Sequence, residues 1–114
     1  MTESAGGATL RVLIVDDEPL ARMRLAALVS QCDGAQVVGE AGDGEAALEA
    51  VAELSPDVLL LDINMPGLEG TAVARRLGGR TRPAVVFCTA YENHAVTAFE
   101  LGAVDYLLKP VRLD

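Results

Sequence analysis

Cysteine and histidine are scarce in this sequence. It has two cysteines and one histidine among 114 residues, and Cys32 and Cys88 stand far apart. Zinc sites need clustered cysteine and histidine ligands, and small disulfide-bonded domains contain many more cysteines than this. We therefore expect neither a zinc site nor a disulfide, and we expect both thiols to be reduced and mostly buried.

Basic residues are outnumbered by acidic ones. The chain has 9 lysines and arginines against 17 aspartates and glutamates, which gives a net charge of −8 at pH 7. This excess of negative charge repels nucleic-acid backbones and anionic lipid headgroups, and it attracts cations and basic partner surfaces. The composition therefore argues against direct nucleic-acid binding by this segment.

Long apolar runs are also missing. Val12 to Val15 and Val58 to Leu61 are far shorter than the ~20 residues that cross a bilayer. Residues 1–8 lack both the basic and the apolar part of a secretory signal. No GxxxxGK[ST] segment follows the first apolar run, which disfavours an ordinary P-loop nucleotide-binding protein. We expect a cytoplasmic protein without membrane contacts.

Apolar side chains, by contrast, are abundant. Hydrophobic residues make up 51% of the chain, a fraction that excludes a disordered protein. A length of 114 residues fits one domain, since domains cluster near ~100 to 150 residues. Residues 1–9 are small and polar and predict a flexible lead-in, so we expect one folded domain over residues 10–114.

Five short apolar runs alternate with longer segments of helical spacing, which is the pattern of repeated βα units. The predicted strands are Arg11 to Asp16, Gln36 to Ala41, Val58 to Asp62, Ala84 to Thr89 and Asp105 to Lys109. The first, third and fourth are apolar at consecutive positions, which is typical of central strands covered on both faces. Right-handed crossovers then predict an α/β fold with a doubly wound five-stranded parallel sheet and a working site off the carboxyl ends of its strands.

Four helices are predicted between these strands. The first begins at Pro19, a residue that the first helical turn tolerates. Its predicted buried face carries Ala21, Leu25, Leu28 and Cys32. Asp43 is predicted to cap the second helix, and the third and fourth are predicted over residues 71–77 and 93–101. Too few residues follow position 110 for a full fifth helix.

Carboxylates, a hydroxyl and an ammonium group fall at the predicted strand ends. They are Asp16, Asp17 and Glu18 after strand one, Asp62 at the end of strand three, Thr89 at strand four and Lys109 at strand five. Clustered carboxylates repel one another and need a cation to remain ionised together. With two or three carboxylates and no nearby histidine or cysteine, Mg²⁺ or Mn²⁺ fits better than Ca²⁺. A carboxylate beside such an ion can attack a phosphoryl group in line, which gives an aspartyl phosphate.

Each of these residues also has an ordinary structural explanation. An aspartate at a strand end is often a helix cap or a turn former. Glu18 suits the N-terminus of a helix, and Lys109 and Thr89 suit the end of a strand. Tyr106 is by default a packing residue. It is the joint placement of the polar side chains at one edge that favours a site.

Four segments in register carry a resemblance to a known family. They are Val15 to Pro19 (VDDEP), Leu59 to Gly70 (LLLDINMPGLEG), Phe87 to Tyr91 (FCTAY) and Ala103 to Pro110 (AVDYLLKP). The chain from about position 10 onward resembles the receiver domain of two-component response regulators. Its C-terminal part is most similar to the receivers of LytTR (LytR/AlgR-type) transcriptional regulators.

The resemblance implies roles for the acidic residues and their neighbours. Asp62 matches the phosphoacceptor. Asp16, Asp17, Asp62 and the backbone carbonyl of Asn64 match the ligands of Mg²⁺, which Mn²⁺ can replace. Asn64 and Tyr91 match positions that tune hydrolysis of the phosphate.

Further matches concern contacts with the phosphoryl group and the response to it. Lys109 and Thr89 match residues that contact the phosphoryl oxygens. Thr89 and Tyr106 match a switch pair whose movement alters the face of helix four and strand five. The bond before Pro110 matches a peptide bond that is cis in the family.

The resemblance also implies a fold and a function. The fold is flavodoxin/CheY-like with strand order 2-1-3-4-5, here with the fifth helix truncated and the DNA-binding effector domain missing. The function is Mg²⁺-dependent transfer of a phosphoryl group from a sensor histidine kinase to Asp62, which controls a DNA-binding output domain. Such a receiver catalyses its own phosphorylation and dephosphorylation and is not a turnover enzyme. Its partners are the kinase and, through helix four and strand five, a second copy of the chain.

Two other functions share features with this pattern of residues. A receiver-like interaction module that works without phosphorylation usually lacks an acidic residue, the phosphoacceptor or the lysine, all of which are present here. A haloacid dehalogenase-type phosphatase also uses an aspartyl nucleophile and Mg²⁺. Its D-x-D-x-T/V signature is absent from residues 16–19 and 62–65.

Overall fold

A parallel β-sheet forms the centre of the protein. The structure, a computed structural model, describes residues 9–62, 65, 67, 69–77, 83–89 and 105–108, with the backbone alone for Thr89 and 105–108. The elements are β1 (Leu10–Val15), α1 (Pro19–Ser30), β2 (Ala35–Ala41), α2 (Gly44–Leu54), β3 (Val58–Asp62), α3 (Gly70–Leu77), β4 (Ala84–Thr89) and β5 (Asp105–Leu108). The strand order is β2-β1-β3-β4-β5, and all four strand pairs are parallel.

These elements confirm the predicted α/β class and strand order. The bounds of β3 and β4 are those predicted, and the other strands differ from prediction by one residue at one or both ends. The predicted fourth helix and the predicted truncation of the fifth lie outside the described residues. Among the described residues, no helix combines the length and the apolar composition needed to cross a bilayer.

The central strands are buried on both faces, as their consecutive apolar residues predict. In β1, Leu13 and Val15 pack with residues of α2 and α3, whereas Val12 and Ile14 pack with residues of α1. Successive side chains of a strand point to opposite faces, so a strand between two helical layers needs apolar residues at every position. This burial holds the carboxyl end of β1 in place.

Helix α1 differs from prediction in its last turn. Its buried residues are Leu25 and Val29, and the helix ends at Ser30. The chain then turns toward β2 through Gly34, which has a φ of 83°. Cys32 lies beyond the helix and is exposed, so its predicted place on the buried face is wrong, whereas Cys88 is buried as predicted.

Helix α2 begins and ends at local signals in the sequence. The carboxylate of Asp43 accepts a hydrogen bond from the backbone N–H of Ala46 at 2.8 Å, which confirms the predicted cap. At the other end Ser55 adopts a left-handed conformation and its N–H donates to the carbonyl of Val51. Helix α3 begins at Gly70, one residue earlier than predicted.

Strand β2 contains an irregularity that sets its register against β1. Val12 pairs with Val37, but Leu13 pairs with Gly39, so β2 has one extra residue at this point. From there on, Ile14 pairs with Glu40. An extra residue of this kind shifts every following side chain by one position relative to the partner strand.

Asp57 connects three neighbouring strands at the edge where they begin. Its N–H donates to the carbonyl of Arg11 at 2.8 Å, and its carbonyl accepts from the N–H of Ala84 at 2.9 Å. Its carboxylate accepts from the N–H of Arg11 at 2.9 Å. The Arg11 guanidinium in turn donates to the carbonyls of Leu54 and Ser55 at the end of α2. One residue therefore aligns β1, β3 and β4.

Replacement of Asp57 by alanine is expected to destabilise the protein by about 1–3 kcal/mol, because a partly buried backbone N–H of Arg11 loses its acceptor. Urea unfolding measures the change. Asp57→Asn keeps an acceptor oxygen, so its free energy of unfolding should fall by less than that of Asp57→Ala. Glu53→Ala removes an exposed carboxylate from α2 and serves as the control. Equal losses in Asp57→Ala and Glu53→Ala would contradict this role.

Candidate functional site

Two aspartates meet where adjacent central strands end. β1 and β3 pair in parallel, with Val15 opposite Leu61. Asp16 follows Val15, and Asp62 follows Leu61 as the last residue of β3. The register of the two strands therefore places both aspartates at the carboxyl edge of the sheet, where ligands of open parallel sheets bind.

Three carboxylates lie within reach of a single ion at this edge. One oxygen each of Asp16, Asp17 and Asp62 lies within 4.8 Å of the others. Asp16 is 0% exposed, Asp62 is 5% exposed, and Asp17 is the most exposed of the three. Hard oxygen ligands with one side open to water suit Mg²⁺, which retains part of its hydration shell. The donor set thus fits the predicted ion, and the predicted meeting of these three side chains is confirmed.

Asp16 also shapes the loop between β1 and α1. Its carboxylate accepts a hydrogen bond from the N–H of Glu18 at 3.0 Å, and its own N–H donates to the carbonyl of Ala41 at 3.1 Å. The turn-forming explanation and the metal-ligand explanation of Asp16 are therefore compatible. Glu18 occupies the N-cap position of α1 without a side-chain cap hydrogen bond, and it is not among the three clustered carboxylates.

The other predicted site residues are described only in part. Thr89 ends β4 and follows Cys88, the strand partner of Asp62, so its backbone lies at the same edge. Tyr106 lies in β5 and pairs with Phe87. Four predicted residues lie outside the described part of the chain: Asn64, Tyr91, Lys109 and Pro110.

One side chain at this edge was not predicted from the sequence. The guanidinium of Arg22, in α1, donates to the backbone carbonyl of Asp16 at 2.6 Å and to the carboxylate of Glu40 at 3.2 Å. Its partners come from the ends of two strands, and Glu40 is 18 positions away. The sequence offers no short spacing that would have revealed these contacts.

Comparison with known proteins gives a family match over most of the chain. The family model described as "Response regulator receiver domain" matches residues 12–114. The positive alginate biosynthesis regulatory protein of Pseudomonas aeruginosa is 57% identical over 107 residues, which cover 92% of this chain and 43% of that protein. The transcriptional regulatory protein BtsR of Salmonella typhi is 48% identical over 102 residues, which cover 90% of this chain and 43% of that protein. The chain thus spans less than half the length of these relatives.

Solved structures show the same similarity. The response regulatory domain of protein mrkE from Klebsiella pneumoniae has a TM-score of 0.82 at 39% identity, covering 90% of this chain and 85% of that one. A chain in the crystal structure of the P1 domain of CheA3 in complex with CheY6 from R. sphaeroides has a TM-score of 0.79 at 32% identity, covering 92% of this chain and 85% of that one.

Removal of one clustered charge should stabilise the metal-free protein. Asp17→Asn is expected to raise the free energy of unfolding in EDTA by about 1 kcal/mol, because it relieves repulsion among the three carboxylates. Urea unfolding in EDTA measures this gain, and added Mg²⁺ should stabilise the wild type more than the variant. Asp33→Asn, at an exposed position outside the cluster, is the control. A variant no more stable than the control would show that the repulsion is negligible.

Proposed function

Because this chain belongs to the response regulator receiver domain family, we propose that it is a phosphoacceptor module of a two-component system, with Asp62 as the residue that takes the phosphoryl group. The observation that carries the proposal is the meeting of Asp62 with Asp16 and Asp17 within 4.8 Å at the carboxyl edge of the sheet. Receiver domains are signalling modules. We propose that this one catalyses its own phosphorylation and dephosphorylation and is not a turnover enzyme.

The proposed reaction is an in-line displacement at phosphorus. An oxygen of Asp62 attacks the phosphorus of a phosphohistidine on a sensor kinase, or of acetyl phosphate. An oxygen–phosphorus bond forms, and the bond to the imidazole nitrogen or acetate oxygen breaks with its electron pair. Asp62 is 5% exposed, so the attacking carboxylate is largely withdrawn from water and is fixed by strand β3. Positioning supplies much of the rate enhancement in reactions of this kind.

Asp16, Asp17, Asp62 and the carbonyl of Asn64 are the proposed ligands of Mg²⁺, with Mn²⁺ as a substitute. Bound Mg²⁺ neutralises the negative charge that the carboxylates and the phosphoryl oxygens bring together. The supporting contacts are those of Asp16, whose backbone and carboxylate are both held by hydrogen bonds. A fixed first ligand lowers the entropic cost of assembling the others.

The remaining residues are assigned to the response that follows phosphorylation. Lys109 and Thr89 are the proposed contacts of the phosphoryl oxygens, and Thr89 and Tyr106 the proposed switch. Asn64 and Tyr91 are proposed to tune hydrolysis, by which the module removes its own phosphate. The bond before Pro110 is a proposed cis peptide. Phosphorylation adds charge and acceptor oxygens that draw Thr89 and Lys109 inward.

The proposed partners are a sensor histidine kinase and a DNA-binding output domain. A kinase partner is supported by the structure of CheY6 with the P1 domain of CheA3. An output domain, which lies outside residues 10–114, is supported by the regulatory names of the relatives and by the 43% of their length that this chain matches. A second copy is proposed to bind through helix four and β5. We propose a cytoplasmic location for the whole protein.

Intact-mass measurement after incubation with acetyl phosphate tests the function. The wild type is expected to gain one phosphoryl group in Mg²⁺ and none in EDTA, whereas Asp62→Asn gains none under either condition. Asp33→Asn, a change of the same kind at an exposed position, should be modified like the wild type. Circular dichroism checks that each variant is folded.

Two results would contradict the proposal in different ways. An adduct of equal stoichiometry on Asp62→Asn would overturn the assignment of Asp62. A folded wild type that takes no phosphoryl group from acetyl phosphate or from a phosphorylated kinase domain would instead favour a receiver-like interaction module that acts without phosphorylation.

A further inference from the structure

Arg22 joins three parts of the fold at the edge of the acidic cluster. It lies in the first turn of α1, where its N–H donates to the carbonyl of Glu18 at 3.1 Å. Its side chain extends to the strand ends, where Nη1 donates to the carbonyl of Asp16 at 2.6 Å and Nε donates to Glu40 at 3.2 Å. The Arg22 side chain is 21% exposed and that of Glu40 is 41% exposed.

The surroundings are shaped for a guanidinium group. A planar guanidinium presents several N–H groups in fixed directions, so it can donate hydrogen bonds to a carbonyl at the end of β1 and to a carboxylate of β2 at the same time. Gly42, just after β2, leaves room for it, since a Cβ at that position would lie 3.3 Å from Nη1. The extra residue in β2 places Glu40 opposite Ile14, close to this end of β1.

The carbonyl that Arg22 contacts belongs to the peptide between two of the clustered aspartates. A strong hydrogen bond from a cation to this carbonyl fixes the plane of the peptide that joins Asp16 to Asp17. Asp16 is further held through its N–H and its carboxylate. The orientation of this one peptide governs where the Asp17 side chain leaves the backbone.

We propose that Arg22 is a positioning residue for the divalent-ion site: by holding the carbonyl of Asp16, it keeps the Asp17 carboxylate directed at the position shared with Asp16 and Asp62. This inference rests on the proposed function in so far as that site takes Mg²⁺. Residues that orient metal ligands without touching the ion commonly change affinity by about 10- to 100-fold when replaced.

The positioning role predicts that replacing Arg22 weakens Mg²⁺ binding, whereas the charge of Arg22 alone predicts that replacing it strengthens Mg²⁺ binding. A guanidinium near the cluster repels a divalent cation, and the carboxylate of Glu40 offsets that charge only in part. Loss of the positive charge would therefore tighten Mg²⁺ binding if Arg22 acted only through its field. Loss of the hydrogen bond to Asp16 would weaken binding, so the direction of the change separates the two explanations.

Titration of the ¹⁵N-labelled protein with Mg²⁺, followed by amide NMR, measures the affinity without any phosphorylation step. Arg22→Met is expected to weaken Mg²⁺ binding by about 10-fold, the lower end of the usual range because Arg22 holds the backbone of a ligand and not its carboxylate. Arg22→Lys keeps the positive charge and a donor nitrogen but lacks the planar guanidinium, so its Mg²⁺ affinity should lie between those of Arg22→Met and the wild type. Arg24→Met alters an exposed arginine of the same helix and should bind like the wild type.

Urea unfolding in EDTA, with the amide spectrum, identifies any variant that is not folded, and Arg22→Lys provides the comparison if Arg22→Met is unfolded. A Mg²⁺ affinity of folded Arg22→Met within about twofold of the wild type, or tighter, would overturn the inference. If Arg22→Met is unfolded, an affinity of Arg22→Lys equal to or tighter than that of the wild type would overturn it. A wild type that binds no Mg²⁺ would overturn both this inference and the proposed function. A wild type that binds Mg²⁺ but takes no phosphoryl group would overturn the proposed function alone.

Discussion

The acidic cluster of Asp16, Asp17 and Asp62 depends on the burial of the two strands, β1 and β3, that end beside it. Carboxylate oxygens within 4.8 Å of one another disfavour the folded chain unless other interactions hold them there. Strands β1 and β3 supply that restraint, because they are buried on both faces by two apolar clusters. The same rigidity that makes the cluster costly makes it a prepared site for a cation.

The sheet was predictable because a strand that is buried on both faces needs apolar residues at consecutive positions, and such runs are visible in the sequence. Every residue from Val12 to Val15 is buried, and an unbroken apolar run of that length fits a central strand better than an amphipathic one. The last turn of α1 was not predictable in the same way. Helical spacing places Cys32 on the buried face, but spacing says nothing of the turn that follows Ser30 and carries the cysteine into solvent.

The acidic cluster and Arg22 differ in what the sequence reveals of them. Asp16 and Asp62 each follow an apolar run, so the rule that parallel strands end at one edge brings them together. The contact of Arg22 with Glu40 depends on the register of β2 after its extra residue. No residue pattern in the sequence predicts where that extra residue lies. Residues 64, 91, 109 and 110 lie outside the described part of the chain and remain assigned by resemblance.

The register of β2 after its extra residue also limits where the chain can change in length. Loss of Glu40, in the regularly paired part of β2 that follows the extra residue, would turn Ala41 to the other face of the strand. The contact between Glu40 and Arg22 would then be lost, and Ala41 would no longer be the buried end of the strand. The exposed turn around Gly34 lies before this point, so insertions and deletions among homologues should accumulate in the turn and be excluded from the second half of the strand.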